Sequence, residues 1–204
     1  MTHACNAVSS LVFLVLSGPL AAADFADPTW PCVQRKVERL SIGLMWPTPV
    51  DPAFKPSKTV AGEITELAES LALRRLELAD LEPQVAAFAD AHGGDPAILG
   101  AVFQQVFDTL ANRRTQVMDG IGRFSLGQIS LSEKIDAARV QFDAEMAKAE
   151  PDLDLVDKLE ETIDWDQVIY TDRQQSITYL CETPVLLEKR LFAVAQMLQR
   201  HMKE

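Results

Sequence analysis

No proline lies between Pro96 and Pro151, and apolar residues recur through that stretch at intervals of three, four or seven. Leu99, Phe103, Val106, Leu110, Val117, Ile121, Phe124, Leu131, Ile135, Ala138, Phe142 and Ala149 fall on one face of a 3.6-residue repeat. Asp95 followed by Pro96 is a helix start signal, because the carboxylate can cap free N–H groups and proline tolerates the first turn. The spacing predicts one long amphipathic helix, or a bent pair, over about 96–149. A stripe of that length must be covered by something.

The cover is found in the last quarter of the chain. From Val156 through Leu159, Ile163, Asp166, Tyr170, Arg173, Ile177, Leu180, Pro184, Leu187, Leu191, Val194 and Leu198 to His201, the steps alternate three and four without a slip. That is the repeat of helices packed along a seam, and it predicts a second long helix over about 153–202. The short connection Glu150-Pro151-Asp152 favours an antiparallel hairpin. If residue 149 lies opposite residue 153, equal rise places Pro184 opposite Met118 and Cys181 opposite Ile121, between Gly120 and Gly122. Both arms then lose helix regularity at one level, which predicts a shared bend or a close approach of backbones near Gly120–Gly127 and Pro184. The same register puts Arg173 near Gln128 and sets Asp166 against Asp136, a repulsive pair that rotation or water must separate. Arg113, like Arg173, is drawn inward by the pattern.

Two shorter helices precede the long run. One starts near Ser57, with Val60, Ile64, Leu67, Leu71 and Leu78 on its apolar face. Asp80 and Pro83 punctuate a restart, and a second helix over about 83–91 stops at His92-Gly93-Gly94. Residues 24–56 contain Pro28, Pro31, Pro47, Pro49, Pro52 and Pro56, so they form an extended arm instead of a helix. Within that arm Leu40, Ile42, Leu44 and Trp46 alternate with Ser41, Gly43 and Met45, the period of an extended segment with one face down. The expected fold is all-α. An antiparallel, coiled-coil-like hairpin of long helices has a small helical bundle at its base, all within a helical domain 57–204, strapped by the arm through Cys32, Trp30 and Trp46.

The first 23 residues have the pattern of a secretory signal: the apolar run Leu11–Leu16, the breakers Ser17-Gly18-Pro19, and small residues Ala21-Ala22-Ala23. The run is well short of the ~20 apolar residues a bilayer span needs, so no stable membrane anchor is expected after cleavage. The expected compartment is extracytoplasmic, with a periplasm as the best fit. Cleavage removes Cys5 and leaves Cys32 and Cys181, which in an oxidising compartment have one possible pairing. Chain-entropy reasoning gives such a bridge about 5 kcal/mol.

The net charge is −11, and residues 1–23 carry no Asp, Glu, Lys or Arg, so the whole imbalance lies in the mature chain. Nucleic acid and anionic membrane surfaces require a basic field and are excluded as main partners. Catalytic motifs are missing. There is no His-Glu-x-x-His, no Cys-x-x-Cys-His, no Gly-x-Ser-x-Gly elbow and no phosphate loop around Gly120, Gly122 and Gly127. Eight carboxylates between Glu150 and Asp166 surround Lys158 alone, but the glycine and terminal glutamate of a calcium loop are absent, so they read as a solvated tip. Arg74-Arg75 and Arg113-Arg114 are more often exposed helix cations than an anion clamp. No catalytic residue, cofactor or metal site is assigned.

The composition therefore predicts a secreted, periplasmic, non-enzymatic helical interaction protein. It would act as a scaffold, adaptor or chaperone-like module with a protein partner or in self-association. The alternative is a small periplasmic metal- or haem-binding bundle using Met45, Met197 or His201, since Met197 and His201 share a helix face and Met202 lies beside them. An enzyme with an unrecognised site is the third possibility.

Overall fold

A computed structural model describes residues 27 to 203. The signal reading on residues 1–23, and the first residues of the arm, lie outside them. Four helices follow one another: α1 (Lys58–Ala72), α2 (Leu78–Ala91), α3 (Pro96–Met146) and α4 (Leu153–Arg200), with no strand among the described residues. The fold is all-helical, and α3 and α4 pack side by side as a long antiparallel hairpin.

The local signals act where the sequence places them. Ser57 caps α1 by accepting from the Val60 N–H, Asp95 caps α3 through the Ala97 N–H, and Asp152 caps α4 through the Leu155 N–H. Gly93 and Gly94 end α2 at φ of 68° and 70°, a region closed to most side chains. At Gly94 the reason is also steric, because a Cβ would sit 2.7 Å from the His201 carbonyl oxygen. The Gly94 carbonyl accepts the Lys203 N–H, so the end of α4 is fastened to the turn between α2 and α3.

Two boundaries differ from expectation. Leu78 opens α2 instead of extending α1, and residues 73–77, including Arg74 and Arg75, form a loop. Pro83 lies inside α2 at its sixth position, so the helix runs on through it without one i→i−4 hydrogen bond. The loop survives because Arg190 of α4 reaches under it and donates to the carbonyls of Leu71 and Leu76. In the arm, the alternating stretch is not extended: Ile42–Leu44 form a short 3-10 turn. Leu44 therefore points to solvent while Trp46 is buried and stacks on Phe103, with ring centroids 5.0 Å apart.

The core divides into three zones along the hairpin. At the base, Ile64, Leu67 and Leu71 of α1 and Leu81 and Val85 of α2 close over Leu99, Phe103, Val106 and Leu110 of α3 and Leu187, Leu191, Val194 and Leu198 of α4. Midway, Trp30 and Cys32 of the arm join Met118, Ile121 and Cys181 in a second small cluster. Beyond it only a single seam is buried, marked by Ile135, Ala138, Val156 and Leu159. The hairpin's outer half projects as a two-helix stalk with no other described element packed on its flanks.

Both helices continue through Gly120–Gly127 and Pro184 without a break. The close approach at that level is made by the arm: a Cβ on Gly122 would lie 3.5 Å from Thr29, while Gly120 and Gly127 face open space. Ser125 also donates to the Pro28 carbonyl there. Gly122 thus marks where the arm crosses α3.

Candidate functional site

The middle cluster is the first place where chemistry-bearing residues meet. Cys32 and Cys181 are joined by a disulfide with Cα atoms 5.5 Å apart, across 149 positions of sequence. Trp30 covers it and donates its indole N–H to the Gln34 carbonyl at 2.6 Å. Asp27 accepts from Lys36 at 2.7 Å and from Thr29, and these donors pull its carboxyl down to about 2. Between arm and α3 a cleft of about 520 Å³ opens, floored by Met118 and Gly122 and rimmed by Arg39, Arg123, Glu38 and Asp119. With Lys36, three cations and two carboxylates line it, so the charge is mixed.

Cross-hairpin polar contacts follow the expected register to within a turn but change the side-chain partners. Arg114, not Arg113, enters the interior, and its Nε donates to Glu188 at 2.6 Å. Arg113 and Arg173 are both exposed. Gln128 donates to the Tyr170 carbonyl instead of meeting Arg173. Asp166 is buried but faces Lys134 at 2.8 Å, so the anticipated clash with Asp136 does not arise. Asp136 instead lies on the surface near Arg139. The seam pattern correctly located a charge at 166. The opposing cation could not be read from α4 alone, since it depends on the rotation of α3.

At the base the two histidines near helix ends are each tied to a carboxylate. His92 Nε2 lies 2.8 Å from Glu63, and His201 Nε2 lies 3.0 Å from Glu82. The hydrogen bond from His201, with Arg200 alongside, lowers the Glu82 pKa. Met197 is fully packed in the base core, whereas His201 turns toward Glu82 and Met202 rests on the edge of the core. Met45 lies on another edge and gives its carbonyl to Gln199. These side chains are not brought together around one open position.

The acidic tip is organised by a residue the sequence did not single out. Glu145, buried at the end of α3, accepts from Lys148 at 2.6 Å and from the Asp152 N–H at 3.1 Å, which fixes the connection 147–152. Those two donors hold its pKa below the ordinary carboxylate value. An isolated Glu in a helical pattern carries no signal that its side chain turns back to a backbone N–H seven residues on. Among the described residues, no group of three histidine, cysteine or acidic side chains is gathered as a metal site.

The stalk above the clasp differs in kind. Val140, Met146, Leu153, Leu155, Trp165 and Val168 are all substantially exposed on it. On α4 Trp165, Val168, Tyr179 and Leu186 share the flank opposite the seam, spaced by three, eleven and seven residues, each near a whole number of turns, with the polar Asp172 and Gln175 between Val168 and Tyr179. Apolar patches left open on a folded surface mark interaction sites. This flank is the candidate functional surface. No family model, no curated protein and no solved structure matches the chain.

Proposed function

We propose that the protein acts outside the cytoplasm as a non-enzymatic helical interaction module, a scaffold, adaptor or chaperone-like protein that engages its partner through the projecting stalk. One observation carries this reading. Six large apolar side chains stand exposed on the outer half of the hairpin, where α3 and α4 have no other described element packed against them. An extracytoplasmic setting is supported by the secretory pattern of residues 1–23 and by a disulfide that only an oxidising compartment would maintain. No helix among the described residues is long and apolar enough to cross a membrane.

The test is site-specific photocrosslinking in the native compartment. A photoreactive side chain at Val140, Leu155 or Trp165 should capture another protein or a second copy. The same group at Glu69, on the exposed side of α1, should capture none. Absence of any protein adduct from the three stalk positions would overturn the reading.

A further inference from the structure

We infer that the outer face of α4 between Asp157 and Tyr179 is a docking surface for a basic amphipathic helix of a partner protein. This rests on the interaction reading above and names the chemistry of the partner.

A shallow trough of about 490 Å³ runs along α4 and is lined by Asp157, Glu160, Glu161, Asp164, Trp165 and Val168. Among the described residues, none of its four carboxylates joins an ion pair. Beside them the Trp165 side chain is 68% exposed and Val168 55%, and Tyr179 stands on the same flank three turns further on at 75%, beyond the polar Asp172 and Gln175. Indole is the best aromatic surface for a cation, and the neighbouring carboxylates add to its attraction for Lys or Arg. The apolar residues are spaced for a helix lying along α4, with its own apolar stripe on Trp165 and Val168 and its cations against Asp157, Glu161 and Asp164. A second copy of this flank would set carboxylate against carboxylate, and an anionic lipid surface would be repelled by the same charges. The complementary occupant is therefore a cationic helix.

The chain supplies its own reporter. Trp30 and Trp46 are buried at 8% and 3% exposure, so a change in solvent contact of tryptophan on binding reports Trp165. The probe is a synthetic amphipathic peptide of leucine and lysine, roughly five turns long. Twin peptides carry glutamine or glutamate in place of lysine. The lysine peptide should bind saturably and shift the emission to the blue. Read by the anisotropy of a dye-labelled lysine peptide, Trp165→Ala should weaken binding about tenfold or more, as loss of a central aromatic anchor does, with Trp165→Phe retaining most of it. The combined Asp157→Asn, Glu161→Gln and Asp164→Asn variant should weaken binding at low salt and flatten its salt dependence. All these side chains face solvent, and unchanged helix content and melting identify variants that fold.

Three results would overturn the inference: equal binding of the glutamine or glutamate peptide, lysine-peptide binding that none of these variants changes, or a Trp165-dependent dimer in sedimentation. A partner crosslinked at Trp165 whose contacting segment is acidic or non-helical would also overturn it and leave the interaction reading standing. Loss of every stalk adduct would remove both.

Discussion

The same two helices pass through two environments. Near the base, α3 and α4 are walled in by α1, α2 and Trp46, and Leu99, Phe103, Leu187 and Leu191 are wholly buried. Past the clasp, among the described residues, they have only each other, and Ile135, Ala138, Val156 and Leu159 mark a narrow seam. Secondary structure is identical in the two halves, so the difference lies in how much apolar surface is removed from water. Helices held by a single seam keep their shape through hydrogen bonds and heptad packing, and they leave their outer flanks for other molecules. The base provides stability, and the stalk provides accessible surface.

Truncation of a core side chain separates the halves most sharply. Phe103→Ala should cost about 3–5 kcal/mol, because it removes a ring stacked on Trp46 and opens a cavity among four elements. Ile135→Ala, in the thin seam, should cost about 2 kcal/mol, at the low end for such truncations, and lower amide protection within the stalk alone. Denaturant titration with hydrogen exchange measures both, and equal costs would break the comparison.

Next in size is the clasp that divides the two zones. Replacing Cys32 and Cys181 together by serine should lower stability by about 2–4 kcal/mol. Amides from Thr29 to Glu38 should lose protection while Leu99–Leu110 keep theirs. If the base loosened as much as the arm, the three-zone description would be wrong.

A gain is expected in the stalk's own helix. Gly127→Ala faces open space and should stabilise by roughly 0.5–1 kcal/mol through lower unfolded-chain entropy and better helix propensity. Gly94→Ala at the base should be destabilising, since its φ of +70° and the His201 carbonyl both oppose a Cβ. Thermal melting of the two variants gives opposite signs.

The smallest effect is acid sensitivity at the stalk's tip. Donors from Lys148 and the Asp152 N–H lower the Glu145 pKa below its ordinary value of 4.5. A depressed carboxylate contributes stability that is full above its unfolded pKa and lost as pH falls through the folded value. Amide exchange in the connection 147–152 should therefore accelerate below about pH 4.5, and Glu145→Gln should remove that dependence. Glu82, lowered chiefly by His201, predicts the same direction at the base.

How far the molecule was legible follows from what each signal depends on. The α4 repeat depends only on burying one stripe, so Val156 through Leu198 located the seam and the hairpin register to within a turn. The disulfide followed from there being two cysteines, Cys32 and Cys181, outside the expected signal, and so one pairing. The missed features depend on rotation or on distant partners. Arg113 and Arg114 are adjacent, and only the azimuth of α3 decides which turns inward. Leu78 continues the apolar spacing of α1, yet Arg190, more than a hundred residues away, holds the intervening loop open. Leu44 alternates correctly with Trp46, but a 3-10 turn cancels the alternation. The docking flank was hidden for a related reason. Trp165 and Val168 lie off the seam repeat, and an apolar residue off the repeat is informative only once its neighbours prove to be absent.

The position of the Cys32–Cys181 bond has a mechanical meaning. It stands where the stalk leaves the base, and Thr29 and Pro28 beside it grip α3 at Gly122 and Ser125. From that level to the tip is a lever of roughly 35 Å at helical rise. A partner pulling at the tip would splay two helices that the arm bridges at this level, bonded covalently to α4 and resting non-covalently on α3.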